Sequence, residues 1–354
     1  MSGVRCWAIT VTAFFVAGCS TAGYLAQSVN GHLGVVRAAR PVSEWLSDTQ
    51  TPDALKQRLM LTQRMRDFGV RELYLPDNAS YRRYADLKRN AAVWNVVATA
   101  DLSLTLKTWC FPVVGCVGYR GYFDRADADA EAAALLAQGL EVNVYGVPAY
   151  STLGKLPGEL FADPLLNTFL RYPEGELARL IFHELSHQVA YAADDTVFNE
   201  SFATAVERIG GARWLAEQGG EPARAEYAQF DARRNDFRSL TRQYRDRLEA
   251  LFQSGVSVAE KRVGKAALMA QMRADHQALK SGAWAVAGEG YAGFDAWFAN
   301  ANNASLGVMA AYNELVPDFE RLFDREGRDF PRFYAQVQRL ASLPKTQRRA
   351  ELKN

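Results

Sequence analysis

The chain has 354 residues, of which 49% are hydrophobic and 23% are charged, and its formal net charge is +1. This composition is typical of a globular protein with ample material for a core, in one large domain or two smaller ones. The near-neutral charge gives no support for binding to nucleic acid or for electrostatic binding to a membrane surface. We therefore expect no nucleic-acid partner.

The amino terminus has the pattern of a lipoprotein signal peptide, which we assign to residues 1–18. Arg5 gives a thin positive region, residues 7–16 form a short apolar run, and residues 16–19, VAGC, form a lipobox. The run is too short to span a membrane as a helix, whereas several acyl chains on Cys19 would hold the mature chain firmly. The alternative is an ordinary secretory signal with an incidental cysteine.

We expect the mature chain to begin with a small, polar tether over residues 19–33, and to be held on a lipid bilayer through Cys19. A single domain is predicted over residues 34–344, with an α/β part that ends near residue 172 and a helical part that follows it. Residues 345–354 are expected to be a loose tail.

Helices and strands are both predicted in the first part of this domain, because runs of apolar periodicity and of strong helix formers alternate with β-branched and aromatic runs. The predicted helices cover residues 34–46, 51–66 and 124–137, and the predicted strands cover residues 94–106, 113–123 and 141–147. After residue 211 the chain is predicted to be mostly helical, with solvated charged faces, over residues 212–252, 258–280, 305–324 and 330–340.

The cysteines divide between the amino terminus and one short loop. Cys6 lies in the predicted signal peptide and Cys19 in the lipobox, which leaves Cys110 and Cys116 in the mature domain. An oxidising compartment permits a disulfide between them. Zinc binding is the alternative, but five intervening residues are wide for a zinc knuckle. We predict a disulfide between Cys110 and Cys116.

Residues 183–187, HELSH, match the pattern HExxH on a predicted helix. Residues four apart lie on one helix face, so His183 and His187 can aim their imidazoles at one point. Glu184 projects about 100° further round, near enough to meet a water held on the same metal. The pattern also occurs by chance in helices, but two of the four histidines of the chain are here. We predict one Zn²⁺ bound by His183 and His187.

A catalytic zinc takes three protein ligands and keeps one open position, so a third ligand is required downstream. Glu200, preceded by Asn199, supplies it at the start of a second predicted helix over residues 198–209, which can bring the carboxylate back toward the histidines. His276 lies in a polar predicted helix, and we expect it at the surface.

HELSH followed by NESFA resembles the gluzincin metallopeptidases, in which HExxH supplies two zinc ligands and a downstream NE motif the third. Twelve residues separate His187 from Glu200, fewer than in the best-known members. The separation in sequence between His187 and Glu207 is closer to the one in those members. Glu207 lacks the preceding asparagine. The resemblance therefore implies Glu200 as the ligand and Glu207 as a residue that supports the ligands.

Two further roles follow from the gluzincin resemblance. Gluzincins often bring in a tyrosine or histidine after the metal motif to stabilise the oxyanion, and Tyr312 is the candidate here. They also receive the substrate backbone on a strand edge beside the metal helix. Residues 149–154, AYSTLG, are the candidate edge, with an ordinary connection as the alternative.

A closer resemblance covers almost the whole chain and connects it with a family of bacterial lipoproteins described as aminopeptidases. It is carried by the strings YRRYADLKRNAAVWNV, TWCFPVVGCVGYRGYF, AYSTLG, DPLLNTFL, FHELSHQ, DDTVFNESFA and NNASLGVMAAYNELVPDF. The resemblance implies an α+β, zincin-like fold, in which a small mixed sheet precedes a mostly helical half built around the HExxH helix. Ser20 after the lipobox favours, by family analogy, a cell-envelope protein on the outer membrane that faces the periplasm.

The resemblance implies a membrane-anchored zinc metallopeptidase, and specifically an aminopeptidase, acting on a peptide or protein with Glu184 as general base. The GAMEN-like motif that holds the substrate amine in alanyl-aminopeptidase relatives is absent. Glu159, Asp163 and Glu174 are candidate substitutes, and the sequence does not distinguish among them.

Two other functions stay open. One is a zinc endopeptidase that cleaves envelope proteins, and the other is a non-catalytic lipoprotein that binds zinc. The intact Glu184 argues against the second, because a structural zinc site has no use for a general base.

Overall fold

The computed structural model describes residues 23–111, 115–150, 162–193, 195–282, 284–285 and 292–353, with the backbone alone at 292 and 310–313. Its first half contains helices α1 (residues 23–38), α2 (Val42–Ser47), α3 (Asp53–Leu73), α4 (Arg125–Leu136) and α5 (Asn167–Leu170). The strands are β1 (Arg40–Pro41), β2 (Arg83–Ala85), β3 (Val93–Thr99), β4 (Trp109–Phe111), β5 (Gly115–Val117), β6 (Arg120–Tyr122), β7 (Glu141–Val147) and β8 (Leu165–Leu166).

In the described residues the second half is helical. Its helices are α6 (Glu174–Ser186), α7 (Thr196–Glu217), α8 (Glu221–Gln253), α9 (Val258–Ser281), α10 (Ala292–Asn300), α11 (Asn303–Asn313), α12 (Val316–Arg325), α13 (Phe330–Ala341) and α14 (Lys345–Lys353). None of the helices in the described ranges is both long and apolar enough to cross a membrane.

The described strands form small sheets with short pairings. In the first, β2 pairs antiparallel with β1 and parallel with β8, which makes this sheet mixed. In the second, β3 lies between β6 and β7 and is antiparallel to both, with Val96 opposite Val144. Strands β4 and β5 form a separate hairpin. The fold is therefore α+β, with small sheets ahead of a helical half, as the sequence predicts.

Helix α6 lies at the centre of the main core. Leu177, Ile181, Phe182 and Leu185 are all 0% exposed. They recur at intervals of three and four residues and so form one face, and burying each contributes about 1.5–3 kcal/mol to stability. The opposite edge of the helix carries the HExxH histidines. Burial of this apolar face therefore decides which way the polar face of α6 points.

Helix α7 runs past Gly210, where the sequence indicated the end of a helix. A Cβ atom at Gly210 would lie 2.5 Å from Cδ1 of Leu73 and 3.0 Å from Cδ2 of Phe182. The glycine is needed for the close approach of α7 to α3 and α6, and it does not end the helix. The contact with the core outweighs the low helix propensity of glycine.

The described part of the predicted tether is helical. Residues 23–33 belong to α1, and the ring of Tyr24 packs 5.0 Å from Phe111 and 5.5 Å from Tyr122. The description as a tether does not fit these residues, which belong to a helix, because the aromatic ring of Tyr24 packs on Phe111 and Tyr122, far away in the sequence.

The predicted tail at the carboxyl terminus is also ordered. Residues Lys345–Lys353 form α14, in which Arg348 and Leu352 are 4% and 1% exposed. The Arg348 guanidinium lies 2.9 Å from the Asp195 carboxylate. The polar composition of residues 345–354 indicated a solvent-exposed segment, but the long side chain of Arg348 reaches the buried carboxylate of Asp195, which caps α7. The tail prediction is therefore wrong.

Other predicted boundaries move for local reasons. The strand predicted to residue 106 ends at Thr99, and the helix predicted over residues 305–324 divides into α11 and α12, with Pro317 in the first turn of α12. His276, expected at the surface, is 1% exposed and stacks on Phe298 at 4.1 Å. The predicted signal peptide and lipobox, with Cys19, lie outside the described residues.

Candidate metal centre

Helices α6 and α7 bring three predicted ligands to one point. The Nε2 atoms of His183 and His187 lie 3.4 Å and 3.7 Å from Oε2 of Glu200. One ligand atom from each of the three residues lies within 4.8 Å of the others. Two ligands about 2.1 Å from a tetrahedrally bound metal ion are themselves about 3.4 Å apart, so these three residues could hold a metal ion between them.

The side chain of Asn199 holds the short connection between α6 and α7 in place. The Asn199 side chain accepts a hydrogen bond from the backbone amide of Ala192 at 2.8 Å and donates one to its carbonyl at 2.9 Å. Asp195 caps α7 by accepting from the amide of Phe198 at 3.2 Å. Asn199 therefore holds the loop so that its neighbour Glu200 faces the histidines.

Glu207 lies two turns further along α7 and contacts the other nitrogen of His183. Its Oε2 atom is 2.9 Å from Nδ1 of His183, and its Oε1 atom accepts a hydrogen bond from Arg179. Arg179 and His183 are four residues apart on α6, on the same helix face. Glu207 thus supports a candidate ligand, and the structure does not place it among the ligand atoms.

The electrostatics of this cluster favour a cation between the side chains. Burial lowers the pKa of His187 to about 4, which leaves the neutral imidazole that a metal requires. Burial also acts to lower the pKa of His183, but Glu200 and Glu207 outweigh it and raise the pKa above its ordinary value. Two carboxylates therefore stabilise a positive charge at His183, and a bound metal ion would meet the same demand.

Glu184 lines the same cavity as the three candidate ligands. Burial raises the pKa of its carboxyl to about 7, with a smaller opposing effect from His183. A carboxylate whose pKa lies near neutrality can both accept and return a proton at physiological pH. Glu184 is thus placed and tuned as a candidate general base.

The cavity has a volume of about 660 Å³ and lies between α6, α7, α8 and the β3 sheet. Tyr119, between β5 and β6, lines it. Burial raises the pKa of the Tyr119 phenol above its ordinary value, and the charge of Glu200 adds to the rise. The phenol therefore keeps its proton near the site. No sequence signal distinguished this tyrosine from the other aromatic residues around it.

Tyr312, the predicted oxyanion donor, lies in α11, and its side chain is outside the described residues. The candidate substrate edge is described only at Ala149 and Tyr150, which both line the cavity. The Tyr150 hydroxyl is hydrogen-bonded there to Nδ1 of the buried His32.

The candidates for holding a substrate amine lie elsewhere or outside the described ranges. Glu174 accepts a hydrogen bond from Nε1 of Trp214 at 3.0 Å. Asp163 is 1% exposed and does not line the cavity, and Glu159 lies outside the described residues. Neither Glu174 nor Asp163 therefore presents its carboxylate to the cavity.

Two arginines of α8 point inward, although we expected the charged face of this segment to be solvated. Arg234 and Arg238 both line the cavity, and Arg234 contacts the Glu176 carboxylate on α6. The amphipathic pattern of α8 is compatible with either orientation of these residues, and only the position of α6 decides it.

Cys110 and Cys116 face each other across the β4–β5 hairpin and are joined by a disulfide. Phe111 and Val117, the next residue along each strand, line the cavity. The bridge thus closes a hairpin that forms part of the cavity wall.

A family model described as "Putative aminopeptidase" matches residues 23–352, which is most of the chain. The chain belongs to this family. No curated protein and no solved structure matches it. Membership in the aminopeptidase family supports a peptidase-like function with a peptide as substrate. The matched range includes the histidines, Glu200, Glu207 and both inward arginines of α8.

Proposed function

We propose that this member of the aminopeptidase family is a zinc metallopeptidase that hydrolyses peptide bonds. The observation that carries the proposal is the convergence of His183, His187 and Glu200 beside Glu184 in one cavity. A donor set of two imidazoles and one carboxylate suits zinc, and catalytic zinc sites typically have three protein ligands. The family description favours cleavage at the amino end of the substrate.

His183, His187 and Glu200 would hold the ion. When bound, zinc supplies Lewis-acid chemistry, which lowers the pKa of water and polarises a carbonyl group. Glu207 would keep the proton of His183 on Nδ1, so that the Nε2 lone pair faces the metal. The Arg179 side chain would in turn keep the Glu207 carboxylate ionised, because it outweighs the effect of burial and contributes to a pKa of about 2.

Glu184 would act on the attacking water. It accepts one proton as the water oxygen bonds to the carbonyl carbon, and it passes that proton to the nitrogen as the carbon–nitrogen bond breaks. The products are a carboxylic acid and an amine, so atoms and charge balance. The Tyr119 hydroxyl would donate a hydrogen bond to the oxyanion of the tetrahedral state.

The zincin-like class of the fold and the lipid anchor are part of the same proposal. Support for the class comes from the HExxH helix α6, the return of α7 and a sheet that borders the same cavity. Support for the anchor comes from the lipobox sequence VAGC that ends at Cys19. The enzyme would then act at the cell envelope, on the outer membrane and facing the periplasm.

The test is Glu184→Gln in the purified protein, with zinc content and peptide hydrolysis measured on the same samples. We expect the variant to retain zinc and to lose at least about 100-fold in kcat, because the ligands remain while the base is gone. Glu44→Gln, on the exposed side of α2, is the control and should match the wild type in both measurements. Near-normal turnover by Glu184→Gln would refute the role of this residue.

A peptide library with and without chelator extends the test to the mode of cleavage. Release of single amino-terminal residues supports an aminopeptidase, whereas internal cuts support the endopeptidase alternative. Zinc bound at one ion per chain without any cleavage would favour a non-catalytic binding protein.

A further inference from the structure

Three arginines, Arg179, Arg234 and Arg238, lie along one wall of the cavity, and the first two contact the carboxylates beside them. Arg179 bonds to Glu207 and lies 3.4 Å from Asp231, and Arg234 contacts Glu176. These two arginines therefore engage the three carboxylates on this side of α6, α7 and α8.

Arg238 lies one turn beyond Arg234 on α8 and lines the same cavity as the candidate metal ligands. Among the described residues its guanidinium makes no ion pair within 4.0 Å and no hydrogen bond. Burial, together with the charges of Arg179 and Arg208, lowers the pKa of its guanidinium, and the carboxylates of Glu207 and Asp231 oppose this effect. The side chain is half-buried, so its charge is partly desolvated without a direct partner.

Each carboxylate that lines the described part of the cavity already has a contact or a candidate role in the metal centre. Glu176 contacts Arg234, Glu207 bonds to His183 and Arg179, Glu200 lies among the candidate ligands, and Glu184 is the candidate base. This leaves no lining carboxylate for a substrate amine among the described residues, whereas one lining cation has no partner. Among the described residues, Arg238 can therefore contact a negatively charged group of a substrate without breaking an existing ion pair.

We propose that Arg238 binds the free α-carboxylate of a short peptide, and so sets the substrate class of the site. The proposal rests on the metallopeptidase function proposed above. A guanidinium matches a carboxylate with two parallel hydrogen bonds, and the pair is stronger where water is excluded. A cavity of about 660 Å³ has the size that encloses a drug-sized ligand, which corresponds to a peptide of a few residues.

The assignment makes the enzyme a processor of small peptides, in which the carboxyl end is held at α8 while the bond near the metal is cut. It is compatible with an aminopeptidase, because in a peptide this short both ends lie inside the cavity. It predicts poor activity on long or folded proteins, whose carboxyl end lies far from the cleaved bond.

The experiment compares two short peptides that differ only at the carboxyl terminus, one a free acid and one an amide. We expect the wild type to prefer the acid by about 10- to 100-fold in kcat/KM, mostly through KM, since a hydrogen bond to a charged group contributes about 1.5–3 kcal/mol. Arg238→Gln should reduce this preference to near unity, and Arg238→Lys should restore part of it. Zinc content and melting temperature verify that each variant is folded.

Arg242→Gln is the matched control, because Arg242 is exposed on the same helix one turn further on. It should keep the full preference for the acid. An equal rate on both peptides by the wild type, or an undiminished preference in Arg238→Gln, would overturn the proposal.

Binding separates this proposal from the proposed catalysis. Calorimetric titration of zinc-loaded Glu184→Gln with the two peptides measures carboxylate recognition without turnover. If neither peptide is cleaved by the wild type but the acid alone binds, and binds through Arg238, the peptidase function fails while the carboxylate site stands. If both peptides bind equally, the carboxylate site fails even where cleavage is observed.

Discussion

Nδ1 of His183 lies 2.9 Å from Oε2 of Glu207, and the second oxygen of this carboxylate is held by Arg179. Nδ1 of His187 has no such hydrogen bond in the described part of the chain. The two histidines of the HExxH motif are therefore supported unequally. A carboxylate on Nδ1 fixes the tautomer and the ring orientation of His183, which makes this imidazole the better-positioned of the two candidate ligands.

The first prediction concerns the two glutamates of α7. We expect Glu200→Ala to purify nearly free of metal, because it removes a ligand atom that lies 3.4 Å and 3.7 Å from the histidine nitrogens. Glu207→Ala should bind zinc about 10- to 100-fold more weakly, because it removes only the support of His183. Zinc content after dialysis against a graded series of chelator concentrations measures both.

Glu217→Ala, at the exposed end of the same helix, is the control and should bind zinc like the wild type. Metal loss in Glu207→Ala together with full retention in Glu200→Ala would reverse the two roles.

The second prediction concerns Tyr119. Tyr119→Phe removes the hydroxyl and keeps the ring, so we expect kcat to fall about 100-fold while KM changes little. Steady-state kinetics with a short peptide give the two constants separately. Tyr150→Phe, which removes the hydroxyl that bonds to His32, serves as a comparison on another wall of the cavity. An unchanged kcat in Tyr119→Phe would return the role to Tyr312.

The third prediction concerns the contact of α14 with α7. Asp195 is 1% exposed and pairs with Arg348 and Arg349. Burial acts to raise the pKa of this carboxyl, but the two arginines outweigh it and hold the pKa below its ordinary value. We expect Asp195→Asn to lower the free energy of unfolding by about 3 kcal/mol at neutral pH, because it leaves the buried Arg348 without an opposite charge.

The pH dependence of that difference has a definite sign. A carboxyl whose pKa is lowered by folding stabilises the protein fully above the unfolded value of about 3.9, and this contribution is lost as the pH falls through the folded value. The difference in the free energy of unfolding between the wild type and Asp195→Asn, measured with urea, should therefore become smaller below a pH of about 4. Asp129→Asn, which breaks an exposed pair with Arg125, should cost less than about 1 kcal/mol. A gap that is constant with pH would count against the ion pair.

The fourth prediction concerns the lipid anchor. Cys19→Ala should release the protein from the membrane fraction without lowering its melting temperature, because the matched domain begins at residue 23 and the lipid would be its attachment. Fractionation of cells followed by mass spectrometry of the amino-terminal peptide measures attachment and lipid together. Membrane attachment that persists in Cys19→Ala, without detectable lipid in the wild type, contradicts the lipobox.

Local sequence signals were sufficient to predict the mixture of helices and strands, the strand Glu141–Val147 and the face of α6 that carries the candidate metal ligands. The fourfold spacing of His183 and His187 requires only a helix to bring them together, and Leu177 to Leu185 supply the apolar face that makes the helix. The proximity of Cys110 and Cys116 needs only a hairpin. These features depend on residues close to each other in the chain.

The tertiary structure decided the roles that depend on distant segments. Glu200 and Glu207 are two turns apart on one helix face, and only the packing of α7 against α6 puts one beside the histidine Nε2 atoms and the other on Nδ1. The position of α8 beside α6 turns Arg238 toward the cavity, and the buried carboxylate of Asp195, which caps α7, contacts α14 through Arg348. Polar side chains follow no periodicity that reveals their partners, because a charge is equally well satisfied by water or by an opposite charge from a remote segment.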